Sequence, residues 1–150
     1  MSDTIREQII AAALVQLAKI NTTNLYQYTM STPKRGVKNI DARDYPLSVA
    51  FPGTEGNERA FGKDILTFSL RVESHHFIGG ANPSVIQEKM LGDLRKNLSN
   101  PSDKWTTKAE DIVYSAGGPA EQPDAEDTTT AVYAVFTIKY KTAIGNPYSQ

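Results

Sequence analysis

The chain has 150 residues, of which 39% are hydrophobic and 22% charged, with a formal net charge of -1 and no cysteine. That length suits one core, and that composition suits a folded chain. Near-neutral charge supplies no global field for nucleic acid or a membrane surface, and the lack of cysteine excludes disulfides, thiolate metal sites and thiol nucleophiles. The N-terminus, Met1-Ser2-Asp3-Thr4-Ile5-Arg6-Glu7, lacks the basic-then-apolar layout of a signal peptide. No apolar run nears the ~20 residues of a membrane span. The expected location is therefore the cytoplasm, with release by lysis.

Residues 4 to 20 predict a helix. Ile5, Ile9, Ala13 (or Ala12), Leu17 and Ile20 recur at three- and four-residue spacing and line one face. Thr4 and Glu7 fit a capping box, with the hydroxyl taking a first-turn amide and the carboxylate reaching back. Residues 25 to 31 predict a strand, since Tyr26, Tyr28 and Met30 alternate with polar residues. A loop is expected over 33 to 44. A strand follows over 45 to 51, with Tyr45, Leu47, Val49 and Phe51 on one face and Pro46 at its start.

Residues 53 to 63 are polar and contain three glycines, so they read as a long hairpin loop. From Asp64 to Phe77 comes a long, half-buried strand. Leu66, Phe68, Leu70 and Val72 point one way; Thr67, Ser69, Arg71 and Glu73 point the other. Asn82-Pro83 is an N-cap followed by proline at the first helical position. The second helix then runs to Ser99, with Val85 or Ile86, Met90, Leu94 and Leu98 inward. A short strand is expected over 111 to 115 and a flexible, acidic, Gly/Pro-rich excursion over 117 to 129. The last strand, 130 to 143, buries Val132, Ala134, Phe136, Ile138 and Tyr140. The fold class expected is α+β: one domain over 1–150, with a single, mostly antiparallel (mixed) sheet and two helices packed on one face.

Little in the chain points to catalysis. His75 and His76 are strand neighbours and face opposite ways, so they cannot chelate one ion together. No Gly-x-Ser-x-Gly elbow, phosphate-cradling glycine loop or short paired-carboxylate motif is present. No cofactor or metal is expected, nor an enzyme. The charged loops are more informative. Residues 33 to 44 hold Lys34, Arg35, Lys38 and Arg43 against Asp41 and Asp44, a balance of +2. Residues 117 to 129 hold Glu121, Asp124, Glu126 and Asp127 with no base, a balance of -4. Solvated loops are the commoner outcome for such runs. Oppositely charged arms can also meet on neighbouring copies, and a head-to-tail contact repeated closes a ring. Outward Tyr133 and Val135 on the last strand likewise suggest a covered sheet face.

Four stretches carry a family resemblance. They are the helix Ile5-Arg6-Glu7-x-Ile9-Ile10-Ala11-x-x-Leu14 and the strand Asp44-Tyr45-Pro46-Leu47-Ser48-Val49-x-Phe51-Pro52-Gly53. The third is the strand end Leu70-Arg71-Val72-Glu73-Ser74-His75. The last is the closing Tyr140-Lys141-Thr142-Ala143-Ile144-Gly145-Asn146-Pro147-Tyr148. In order and length the chain resembles the tail terminator (tail completion) proteins of long-tailed bacteriophages. The resemblance implies a virion structural protein, assembled in the host cytoplasm. It implies a homo-oligomeric ring of six copies at the head-proximal end of the tail, touching the tail tube protein and a head-side connector or stopper. DNA would pass through its lumen without sequence-specific binding. Such proteins are not enzymes and need no membrane. The eight charged loop residues named above would then lie at subunit or ring contacts. Three other readings stand beside this one: another phage neck or head-completion protein, a small ligand-binding α+β domain unrelated to phage, and an enzyme using either histidine as a base.

Overall fold

Thr4 opens the first helix in the computed structural model, which describes residues 2–150: its hydroxyl accepts a hydrogen bond from the Glu7 amide at 3.1 Å. This satisfies one of the amides that a helix start leaves unpaired. The second half of the expected capping box does not form. The Glu7 carboxylate turns to Arg35, at 2.6 and 2.8 Å, because a bidentate guanidinium is a stronger partner than a backbone amide. Helix α1 covers Ile5–Leu17, and Ile5, Ile9, Ala13, Leu17 and the following Ile20 are all buried.

The strand expected over 25–31 does not form. Leu25 takes a left-handed φ of 67°, which breaks any extended run. The Gln27 and Tyr28 amides donate to the Asp93 carboxylate at 2.9 and 3.1 Å, so a side chain replaces a ladder. Tyr26 and Met30 join the main hydrophobic cluster. Their alternation therefore reports packing rather than pairing.

The sheet has five strands: β1 (Lys34–Arg35), β2 (Leu47–Ala60), β3 (Lys63–Phe77), β4 (Ala109–Glu121) and β5 (Thr129–Ala143). Their spatial order is β1-β2-β3-β5-β4, and every pair except β1–β2 is antiparallel. Two stretches expected as loops are strand. Residues 53–60 continue β2, and the connection to β3 shrinks to Phe61-Gly62, with φ 54° and 72°. Two left-handed residues make a hairpin turn whose twist matches its strands. A bulge between Pro52 and Glu55 absorbs an extra residue, and a Cβ on Gly53 there would overlap the Ser69 hydroxyl. At the other edge, β4 runs on through Gly117-Gly118-Pro119 to Glu121 with three register shifts. An outer strand tolerates bulges and proline because its free side needs no partner.

Helix α2 (Pro83–Ser99) starts where expected, with the Asn82 side chain accepting the Ser84 amide at 2.9 Å. Ile86 is the buried residue of the first turn, while Val85 faces out. Ile86, Met90, Leu94 and Leu98 meet Phe68, Leu70, Val72, Val132, Ala134, Phe136, Ile138 and Tyr140 in one cluster that also holds the α1 residues. Each fully buried side chain of this kind stabilises by roughly 1.5–3 kcal/mol. Reciprocal amides join the helices: Gln16 donates to the Asn97 carbonyl at 3.0 Å and Asn97 donates to the Gln16 carbonyl at 2.8 Å. The stripe of Leu47, Val49 and Phe51 lies on the opposite side of the sheet from the helices, in register with His75, Glu73 and Arg71. Ser48 and Ala50 face the helices instead, and the Ser48 and Ser74 hydroxyls meet at 2.7 Å.

Candidate interaction surfaces

The basic loop lies along the β1 edge, and most of its charge is spent within the chain. Lys34 pairs with Asp44 at 3.0 Å, Arg35 with Glu7 at 2.6 Å and Arg43 with Asp41 at 2.7 Å. The short β1 holds Lys34 and Arg35 beside Val49 and Ala50, which places Arg35 over the start of α1. Lys38 has no ion pair among the described residues. Counting Glu7 with Asp41 and Asp44, three acids face four bases and the local balance falls to +1. The Arg35 hydrogen bonds hold the Glu7 carboxyl below its ordinary value.

The acidic hairpin behaves differently. Glu121 ends β4, and the turn is closed by the Asp124 amide donating to the Asp127 carboxylate at 2.7 Å and the Asp127 amide donating to the Asp124 carbonyl at 3.0 Å. None of Glu121, Asp124, Glu126 and Asp127 makes an ion pair among the described residues, so the -4 remains. The hairpin sits at the β4 edge, with β5, β3 and β2 between it and β1. Beneath it a cleft of about 410 Å³ opens on the helix-free face, floored by Arg71, Glu73 and His75 and rimmed by Glu121 and Asp127.

His75 stacks on Tyr45 at 5.1 Å between ring centres, and its Nε2 lies 3.7 Å from Glu73. Burial pushes the His75 pKa below its ordinary 6.5, against the pull of Glu73, so the ring is neutral near pH 7. His76 points to the other side and packs on Tyr28 at 4.4 Å. The two rings face apart, as strand geometry requires. Among the described residues no three His, Asp or Glu side chains converge as metal ligands. No helix there is long and apolar enough to cross a membrane.

Three features escaped sequence reasoning. The Tyr140 hydroxyl donates to Glu55, whose carboxylate lies 3.7 Å from Arg6. Arg6 also donates to the Gly53 carbonyl at 2.6 Å and covers the Phe68 ring. Burial, then Glu55, pushes the Tyr140 hydroxyl well above its ordinary pKa; the contacts of Arg6 with Gly53 and Glu55 tie α1 to the β2 bulge. Second, Phe61 at the hairpin tip is 96% exposed. Third, the outer side of α2 carries a groove of about 600 Å³ beside Leu25, Val85 and Gly92. The outward apolar residues stand in stretches that read as polar loop, strand and buried helix face, so composition gave no signal. On the helix-free face Tyr133 is half-buried under Arg71, whose guanidinium lies 4.2 Å above the ring. No protein-family model and no curated protein sequence matches this chain.

Proposed function

We propose that the chain is a virion structural protein. Six copies form a ring that caps the head-proximal end of a phage tail tube, stops its polymerisation and offers a joining surface to the head connector. The observation that carries this reading is the separation of two unlike charged surfaces. An acidic hairpin with no ion pair among the described residues occupies the β4 edge, and the basic loop with Lys38, which makes none there either, occupies the β1 edge. Unlike patches at opposite edges favour a heterologous contact, which closes into a ring when the rotation permits. The helix-free sheet face, where Tyr133 and Val135 are half-buried, offers further area for a neighbour or the tube. Identity as a terminator comes from the sequence resemblance, and DNA crosses the lumen without base-specific contact. The cleft under the acidic hairpin is lined by charged groups and does not favour a ligand-binding domain, which calls for a largely apolar pocket.

Charge reversal tests this reading. Lys38→Glu and Asp124→Lys should each abolish hexamers in native mass spectrometry at low salt, and the double variant should regain them in part. Unchanged hexamers in both single variants would overturn the charged contact.

A further inference from the structure

Two large apolar side chains stand in solvent on left-handed backbone. Phe61, at φ 54°, is 96% exposed, and Leu25, at φ 67°, is 81% exposed. Bulky residues are rarely found there, and such strain clusters where a surface works. The two positions differ in shape. Phe61 crowns a tight two-residue hairpin and touches almost nothing of its own chain. Leu25 lines the groove on the outer side of α2 together with Val85, itself 50% exposed, and Gly92, beside whose Cα there is open space.

We propose that Phe61 of one copy seats in the Leu25–Val85–Gly92 groove of the next copy. A groove of about 600 Å³ accommodates one phenyl ring with its hairpin neighbours. The charges around the two surfaces match as well. Glu58 and Lys63 flank the hairpin tip, and Glu88 and Lys89 lie one turn beyond Val85 along the groove. None of these four makes an ion pair among the described residues, so Glu58 can meet Lys89 while Lys63 meets Glu88. Knob and groove are different surfaces of one chain, so the contact is head-to-tail and leaves a free knob and a free groove at its ends. This contact rests on the assembly reading above and specifies which surfaces join.

The test is sedimentation velocity over a concentration series with two variants. Phe61→Asn removes the knob and suits a left-handed turn better; Val85→Glu spoils the groove and keeps the knob. Each should weaken self-association by at least about tenfold, the effect of losing a central aromatic anchor. The thermal midpoint of Phe61→Asn should be equal to or above that of the wild type. An equimolar mixture of the two variants should form a heterodimer that grows no further, because one intact knob and one intact groove remain. Variants that associate like the wild type overturn the contact while leaving a ring possible through the charged loops. A wild-type chain that stays monomeric, indistinguishable from Phe61→Asn, overturns it too. Knob-dependent open chains in place of closed six-membered particles would keep the contact and remove the ring.

Discussion

The basic loop and the acidic hairpin flank the same end of the sheet and differ in where their charges go. Lys34, Arg35 and Arg43 are each matched by a carboxylate of their own chain, and the decisive partner of Arg35 is Glu7, 28 positions earlier. The four acids of the hairpin make no ion pair among the described residues. A charge run read along the chain therefore overstates one surface and describes the other correctly. In the basic arm Arg35 braces α1 through Glu7 while Lys34 and Arg43 pair within the loop; the acidic arm makes no ion pair among the described residues.

The largest test of this contrast lies under the acidic arm. A Cβ on Gly117 would overlap the Tyr114 hydroxyl and sit 2.9 Å from Leu91 and 3.0 Å from the Tyr133 carbonyl. Gly117→Ala should cost about 1–3 kcal/mol in urea unfolding, because overpacking forces the strand outward. In the basic loop, Gly36 at φ 66° has open space around it. Gly36→Ala there should cost only the backbone strain, about 1 kcal/mol. Smaller still is Glu7→Gln, at about 0.5 kcal/mol, since the Glu7–Arg35 pair is more than a third exposed and water screens it. Glu126→Gln should leave the unfolding midpoint at the wild-type value; a lowered midpoint would mean that the hairpin carries an internal partner after all.

Acid titration sharpens the same comparison. Arg35 holds the Glu7 carboxyl below its ordinary value of 4.5, mainly through the hydrogen bonds. A lowered carboxyl stabilises the fold at pH above its unfolded value and loses that contribution as pH falls through the folded value. The stability gap between wild type and Glu7→Gln should be flat from about pH 7 to about pH 5 and shrink below that. A gap that widened on acidification would contradict the pairing.

Long elements were legible in the sequence for a plain reason. Over Phe68–Val72 and Val132–Tyr140 one side of the strand is buried and the other wet, so period-two alternation is written into the residues. The α1 and α2 stripes are equally direct. Errors fell where side chains or edges override local composition. Tyr26 and Met30 are buried without strand pairing, in a segment whose Gln27 and Tyr28 amides donate to Asp93 of α2. Residues 53–60 and 117–121 are polar or Gly/Pro-rich because they run along free sheet edges, where such residues are tolerated. The Phe61-Gly62 turn lacked the usual Asn-Gly signal. Of the candidate surfaces, the acidic hairpin was visible as a charge run. Pairing of the basic loop and the outward stance of Leu25, Phe61 and Val85 depend on the fold.

Negative-stain electron microscopy of the concentrated protein, with and without tail tubes, tests the central claim most directly. Rings with a central hole, of about six times 16.5 kDa, are expected, seated on one end of each tube. Particles that never form rings and never touch tube ends would contradict it.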